Sequence, residues 1–359
     1  MCTSAKPIAF EYILFAVTAV SFPVTVIFML TIVKNRRREP FTSHFFLLSF
    51  NLGVIDLLCM INTTVFIKIR TYGWLDHWFL SNPKGWLARY CIQGSWILAN
   101  AQGLAVMMLS VNRCIGMAFA GRYHEIWNSR VSMFALVWPW FFPFAACFPM
   151  FFTSFTISKN NETCITQVVF DDLLVRNAYW LGSLCFNTGI VDPLISGLYA
   201  FSFYRVWRLS RAIGPANSQG GGAARAEIKL AIITLIMFSL CLAYAYILIM
   251  SVLWTSNHGN EEENIYIVYM YPIVADLSFV VNPWLVLCFS PATRQHSVWL
   301  LKCHTPPERS ASLALVAASQ RAVTPRPAEK EAQSQSPADR LRPSTLVRFS
   351  RSADNVTLF

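Results

Sequence analysis

The stretch Cys91–Trp127, CIQGSWILANAQGLAVMMLSVNRCIGMAFAGRYHEIW, carries the strongest indication of the fold of this chain. Residues 90–112, which include the first part of this stretch, contain no charged side chain. As a helix these residues extend about 34 Å, enough to cross the roughly 30 Å hydrocarbon core of a bilayer. Arg113 follows directly, and taken alone it is best explained as a snorkelling residue at a helix end. The stretch therefore predicts a membrane-spanning helix.

The composition is that of a membrane protein. The chain has 359 residues, of which 55% are hydrophobic and only 13% charged, whereas soluble domains contain about 25% charged residues. The net charge of +10 does not indicate nucleic-acid binding, because Lys and Arg cluster beside the apolar runs, as membrane flanks do. The 10 cysteines include no C-x-x-C pair, so neither a metal site nor a disulfide-rich scaffold is expected, and no cofactor is predicted.

Seven apolar runs follow one another along the chain, and each is predicted to be a helix because lipid-exposed backbone must satisfy its own polar groups. The runs are residues 11–34, 45–67, the stretch Cys91–Trp127, and residues 131–158, 177–204, 230–254 and 265–289. A β-barrel would need alternating polar residues, and none is visible. We therefore predict an all-α seven-helix transmembrane bundle over residues 11–303. A short N-terminus, residues 1–10, precedes it, and a disordered tail, residues 304–359, follows.

The distribution of basic residues predicts an N-out, C-in orientation. Most of the 29 Lys and Arg residues then lie inside, including residues 36–38, while the acidic residues 261–263 lie outside. Lys68 is assigned to the outer loop between the second and third runs, against the general trend. The sequon at Asn161 falls in an outer loop and is expected to carry a glycan.

Three segments resemble signatures of rhodopsin-like G-protein-coupled receptors. Ser110–Cys114 resembles the Asp-Arg-Tyr signature with an asparagine in place of the acid, Phe50–Leu58 resembles the Asn-Leu-x-x-x-Asp-Leu segment, and Asn282–Val286 resembles Asn-Pro-x-x-Tyr without its tyrosine. Together with the segment Gly121–Trp127, these details are similar to the nematode serpentine chemoreceptors of the gamma superfamily, particularly serpentine receptor class V.

The resemblance implies a role for several residues. Arg113, preceded by Asn112, is implied to contact a heterotrimeric G protein at the inner face. Asp56, Asn282 and Pro283 are implied to be interior positions of the bundle. Since an acid within the membrane is costly, Asp56 should point inward and have a partner.

The resemblance also implies covalent and surface features. Cys91 and Cys164 match the disulfide between the top of the third helix and the second outer loop. A short amphipathic eighth helix is expected to begin at Arg294 and lie against membrane lipid, followed by a candidate palmitoylation site at Cys303. The C-terminal residues 355–359 resemble a PDZ-binding end, in which the last residues add a strand to a sheet edge.

The ligand pocket is expected in the outer half of the bundle. Asp276 lies about 9 Å nearer the outer face than Asn282, at a level that lines the cavity in receptors of this type. Ser95, Trp96 and Asn100 are further candidate pocket residues. Two interpretations of Asp276 stay open: it orients a ligand with a cationic or hydrogen-bond-donating group, or it is a structural acid bonded to Asn100 or another inward polar group.

Some features depart from the receptor pattern. The sixth run, residues 230–254, contains no proline, and Phe201 and Val286 stand where tyrosines are usual. The hydroxyls that hold the active state in related receptors are therefore expected to be missing. In the resting state, Arg113 is a candidate partner of Glu227.

A transporter or channel is the main alternative function. Against it, three acids within the membrane, Asp56, Asp192 and Asp276, lie on separate runs and have no basic partner at depth. An enzyme is not expected, because no His-Glu-x-x-His or comparable cluster is present. The sequence therefore predicts a chemosensory receptor for odorants or other small molecules in the plasma or ciliary membrane of a sensory cell. A neuropeptide receptor or other small-ligand receptor of the same fold is the alternative within this class.

Overall fold

The computed structural model describes residues 9–38, 41–119, 122–160, 165–213 and 265–302, and several helical positions between 236 and 253. Its helices are α1 (Ala9–Asn35), α2 (His44–Asn62), α3 (Asp76–Ser81), α4 (Trp86–Ala118), α5 (Tyr123–Ile126), α6 (Ser129–Ala146), α7 (Leu173–Phe186), α8 (Asp192–Ile213), α9 (Ile265–Phe289) and α10 (Pro291–Leu301). π-Helical turns at Thr63–Ile69 and Asn187–Val191 continue α2 and join α7 to α8. The chain divides into two compact units after Val298.

Four described helical segments are long and apolar enough to cross a membrane: Glu11–Asn35, His44–Ile69, Trp86–Gly116 and Leu173–Arg205. A fifth is added if the bent pair Ile273–Cys288 and Thr293–Leu301 counts as one span. These segments support a multi-pass helical protein. The predicted sixth run lies mostly outside the described residues, whereas the predicted seventh run coincides with α9.

The fourth predicted run ends much earlier as a helix than expected. The helix α6 stops at Ala146, and a 3₁₀ turn, Phe148–Phe152, follows it. The chain then forms the antiparallel strands β1 (Phe155–Lys159) and β2 (Thr166–Phe170). The prediction of an uninterrupted helix to residue 158 is therefore wrong. Hydropathy alone does not distinguish an apolar strand from a helix, and Pro149 within the 3₁₀ turn cannot donate a helical hydrogen bond.

Three clusters of buried apolar residues form the core among the described residues of the first unit, and two of them bear on the candidate site. The larger lies where α2, α4, α8 and α9 meet, around buried residues such as Ile55, Leu104 and Ile195. The smaller lies beneath the hairpin of β1 and β2, where Phe155 and Phe170 pack with Cys91 and residues of α3. We call the part of the bundle beside this hairpin the hairpin end.

The second helical segment is longer than its hydropathy predicts. The π-helical turn carries the helix past Ile67 to Ile69, and the Lys68 side chain is almost completely buried. The assignment of Lys68 to an outer loop is therefore wrong. Its aliphatic stem and charged head lie within the bundle, where only a charged partner makes burial of the ammonium tolerable.

Candidate functional site

A buried cluster of three charged side chains joins three elements at the hairpin end. The Nζ atom of Lys68 lies 3.1 Å from Oε2 of Glu11 on α1 and donates a hydrogen bond to Oδ2 of Asp276 on α9. The three side chains are at most 2% exposed. We call Glu11, Lys68 and Asp276 the charged triad. It ties α1, the first π-helical turn and α9 together.

An aromatic stack covers the lysine. The Lys68 ammonium lies 4.7 Å from the centroid of the Phe15 ring, which stacks on Trp74 at 5.2 Å. Trp74 reaches this position through a tight turn, in which Gly73 adopts a φ of 68° that L-residues other than glycine rarely take. The turn thus brings the indole onto the Phe15 ring, and the face of Phe15 stabilises the buried positive charge of Lys68.

The charged triad corrects one expectation from the sequence and narrows another. Asp276 has a basic partner within the bundle, so the statement that no membrane acid has one is wrong. Of the partners considered for Asp276, Asn100 is hydrogen-bonded to Trp96 and Asn187 instead, and the inward polar group that bonds Asp276 is Lys68. The triad was missed because Glu11 and Lys68 stand at the boundaries of apolar runs. Hydropathy assigns such residues to the ends of spans rather than to the interior of the bundle.

The other three candidate pocket residues lie on α4 and contact different elements. Asn62 of α2 donates to the Ser95 hydroxyl at 2.9 Å, and the Ser95 hydroxyl donates to a carbonyl of its own helix. Asn187 donates to Oδ1 of Asn100 at 3.1 Å. These hydrogen bonds face α2 and the second π-helical turn, and neither of them involves Asp276.

Aromatic side chains surround the third of these residues. Trp96 makes edge-to-face contacts with Tyr179 and Trp180 of α7, with ring centroids 6.0 and 6.2 Å apart.

Sequence reasoning did not identify Asn187, whose amide also bonds Ser183. π-Helical turns often mark functional positions, so the turn that begins at Asn187 is the local feature that singles it out.

The interior acid of α2 has an amide partner. Asp56 is fully buried, and its Oδ1 atom accepts a hydrogen bond from Gln102 of α4 at 2.9 Å. Asn282 and Pro283 of α9 are buried as well, and the Asn282 amide lies near Asp56 without forming a well-directed hydrogen bond. Within the described residues, no group of three or more His, Cys, Asp or Glu side chains is placed to hold a metal ion.

At the opposite end of α4, Asn112 and Arg113 contact aromatic residues. Asn112 donates to the Tyr123 hydroxyl of α5 at 2.9 Å, and the Arg113 guanidinium lies 4.9 Å from the Phe45 ring centroid. Burial raises the pKa of the Tyr123 hydroxyl, and the bond from Asn112 partly offsets this. We call this region the arginine end. Glu227, the expected partner of Arg113, lies outside the described residues.

A tyrosine does stand close to this arginine, although sequence reasoning did not identify it. The hydroxyls of Tyr199 on α8 and Ser110 on α4 are hydrogen-bonded at 2.6 Å. Although Phe201 stands where a tyrosine is usual, Tyr199 therefore supplies a hydroxyl in this part of α8. The contact joins α8 to α4 within one helical turn of Arg113.

The hairpin is held in place by one acid of α3. Asp76 accepts a hydrogen bond from Lys159 of β1 at 2.6 Å and another from Thr166 of β2 at 2.7 Å. At the other end of the hairpin, the Thr156 hydroxyl donates to Asp171 at 2.8 Å. The hydrogen bonds from Thr156 and Ser154 lower the pKa of Asp171. Because Asp76 contacts both strands, it fixes the hairpin against α3.

Several predicted features lie partly or wholly outside the described residues: Asn161, Cys164, Cys303 and residues 355–359. Cys91 is buried and forms no disulfide with another cysteine of the described part of the chain. Its bridge to Cys164, the glycan, the palmitoyl group and the PDZ-binding end all stay predictions.

Comparison with known proteins identifies the family. The family "Serpentine type 7TM GPCR chemoreceptor Srv" matches residues 14–303. Serpentine receptor class V-1 of Caenorhabditis elegans is 24% identical over 200 residues, which cover 55% of this chain. The aligned part spans 64% of that relative's length. Because the family match extends through the whole helical bundle, the chain is a multi-pass membrane protein that belongs to the Srv family of serpentine 7TM GPCR chemoreceptors.

Proposed function

We propose that the protein is a chemosensory receptor that binds a small molecule at its hairpin end and activates a heterotrimeric G protein at its arginine end. The observation that carries this proposal is that α4 takes part in both ends. Trp96 and Asn100 contact α7 and the second π-helical turn, and Arg113 lies roughly 20–25 Å further along the same helix. A rigid helix that contributes to both regions is a physical means of coupling them.

The hairpin end has the chemistry of a small-molecule site. The aromatic faces of Trp96, Tyr179 and Trp180 supply apolar area, while the amides of Asn100 and Asn187 supply directional hydrogen bonds. Sites for small molecules combine a mainly apolar lining with a few well-placed polar groups. The hairpin fixed by Asp76 lies beside this region, because both pack on the cluster that contains Phe155 and Phe170.

The arginine end supplies a protein-binding group. The guanidinium of Arg113 lies against Phe45 rather than in open solvent, so exposing it requires a rearrangement of α2 and α4. A ligand that favours one packing of the bundle shifts the population towards that packing, and by linkage a G protein that favours it is bound more tightly. The hydrogen bond between Ser110 and Tyr199 carries the same rearrangement to α8.

The proposed orientation places the N-terminus and the hairpin end outside the cell. The basic residues 36–38, after α1, then lie inside, together with the arginine end. An antibody against an N-terminal tag is expected to stain intact cells, while a C-terminal tag is expected to need permeabilisation. The reverse pattern would exclude G-protein coupling at the arginine end.

The central experiment is a ligand screen with a matched pair of arginine variants. The receptor is expressed with a promiscuous G protein and tested against volatile and water-soluble odorant panels, with a calcium readout. Arg113→Ala is expected to lose at least nine-tenths of the response, whereas Arg130→Ala, at an exposed position of α6, is expected to keep it. Equal responses of the two variants at equal surface expression would contradict the proposed coupling site.

Two alternative functions give different outcomes in the same system. A neuropeptide receptor would respond to a peptide panel and not to odorants. A transporter would move solute in proteoliposomes without any G protein.

We propose further interactions with membrane lipid through Cys303 palmitoylation and with a PDZ protein through residues 355–359. Loss of acyl labelling in Cys303→Ser, and loss of PDZ capture after deletion of Leu358 and Phe359, test these two interactions.

A further inference from the structure

The charged triad contains one more acid than base. Oε2 of Glu11 and Oδ2 of Asp276 both face the Lys68 ammonium. The remaining oxygens, Oε1 of Glu11 and Oδ1 of Asp276, are buried and have no hydrogen-bond partner among the described atoms. With all three groups ionised, the triad has a net charge of −1 in a site that is at most 2% exposed.

Such a charge is expensive in this environment. Taking an uncompensated carboxylate out of water costs several kcal/mol even after relaxation of the protein. One ammonium compensates only one carboxylate, and two carboxylates that share one partner repel each other. The arrangement therefore requires one additional unit of positive charge.

Neighbouring described side chains do not supply this charge. Among the described residues, Lys68 is the cation within ion-pair distance of Glu11 and Asp276. A divalent metal ion would need about six or more oxygen ligands, whereas the triad offers two unpartnered oxygens.

We propose that the triad is a proton-binding site that holds one proton on the pair Glu11 and Asp276. The occupied site contains one carboxylic acid, one carboxylate and one ammonium, and is electrically neutral. The proton gives one unpartnered oxygen a donor function, so that one carboxyl can hydrogen-bond to the other or to the backbone. Because the three side chains come from α1, the first π-helical turn and α9, release of the proton places a repulsion between α1 and α9.

Infrared spectroscopy of the full-length receptor in lipid nanodiscs at pH 7 tests this site, because carboxylic acids and carboxylates absorb in different regions. Glu11→Gln and Asp276→Asn are each expected to lose one carboxylic acid band and no carboxylate band. In either variant the acid that remains becomes the ionised partner of Lys68. Lys68→Met is expected to gain one carboxylic acid band, because neither acid then has a cation to pair with.

Each variant gives a decisive result on its own, so failure of one to fold leaves the others. Loss of a carboxylate band without loss of a carboxylic acid band in Glu11→Gln or Asp276→Asn overturns the proposal, as does an unchanged carboxylic acid region in Lys68→Met. Asp56→Asn is the matched control: it removes a buried acid outside the triad, and the gain caused by Lys68→Met is expected to persist in that background. Replacing sodium with N-methylglucamine at constant ionic strength is expected to leave the spectrum unchanged. A carboxylic acid band that grows on this replacement overturns the proposal in favour of a bound sodium ion.

Discussion

The ammonium of Lys68 lies 3.1 Å from the carboxylate of Glu11, which joins the first helix of the chain to the end of the second helical segment. The same ammonium donates to Asp276 of α9, so three elements distant in sequence meet at one buried cation. Long-range ion pairs of this kind fix the relative rotation of helices, because each charged side chain must face its partner. This relationship underlies the first two predictions.

Removing the lysine is expected to be strongly destabilising. Lys68→Met leaves two buried acids without a cation, so both acids must be protonated, and the loss of the two buried ion pairs is expected to cost about 3–5 kcal/mol. Lys84→Met is the matched control, since Lys84 is exposed and its removal is expected to cost less than about 0.5 kcal/mol. Thermal unfolding of the purified receptor, followed by intrinsic fluorescence, measures both. Equal losses would show that Lys68 contributes no more than a surface residue.

Neutralising Asp276 is expected to be milder. Asp276→Asn leaves Lys68 paired with Glu11, so the ammonium keeps one partner. Because the carboxylate already faces this lysine, we expect the potency of the most active odorant from the panel to change by less than tenfold, or about 1.4 kcal/mol, at equal surface expression. A larger loss would assign Asp276 a role in binding the ligand.

The attachment of the hairpin depends on Asp76. Asp76→Asn weakens the bonds from Lys159 and Thr166 to a carboxylate that is only partly buried, and solvent screening reduces the effect to about 1 kcal/mol. Hydrogen exchange is expected to increase about fivefold across β1 and β2 and to stay unchanged in the middle of α4. Asp172→Asn, at the N-cap of α7, is the comparison variant, and its effect should be confined to that helix.

The hydrogen bond between Asn112 and Tyr123 is expected to contribute about 1 kcal/mol. A double-mutant cycle of Asn112→Ala and Tyr123→Phe isolates this contribution, because the two residues interact directly. The measurement is the free energy of unfolding of the unchanged receptor, the two single variants and the double variant. Additive effects would mean that α5 is held against α4 by other contacts.

A disulfide is predicted between Cys91 and Cys164. Peptide mapping of the non-reduced receptor is expected to yield one linked pair that contains both residues, and Cys164→Ser is expected to release a free thiol at Cys91. Cys147 is the informative comparison, because it lies in the same apolar cluster as Cys91. Recovery of Cys91 linked to Cys147 would contradict the predicted pairing.

The pattern of apolar residues was sufficient to predict most of the helical segments. The predicted run 265–289 coincides with α9, and the spans of α1, α2 and α4 lie where hydropathy places them. This success has a direct cause, since a segment within lipid must satisfy its backbone hydrogen bonds internally and so becomes helical whatever its neighbours are. The motif residues likewise pointed to the family that the comparison with known proteins identified.

The hairpin could not be predicted in this way. Residues 155–158 continue an apolar run, and their conversion to a strand depends on pairing with residues 167–170 and on the apolar cluster beneath them. Strand formation depends on both paired segments, so it cannot be predicted from the composition of one segment alone. The role of Asp76, which contacts both strands, could not be predicted from the sequence either.

The sequence alone indicates which described segments are long and apolar enough to cross a membrane, because that depends on the summed hydrophobicity of consecutive residues. Which charges lie within the bundle, and which partners they have, became known from the three-dimensional arrangement of the helices. Glu11 and Lys68 stand at the boundaries of apolar runs, yet a π-helical turn and the rotation of α1 bring both to the side chain of Asp276. The physical reason is that the low-polarity interior makes an isolated charge costly, so its position is set by a partner from a distant part of the chain.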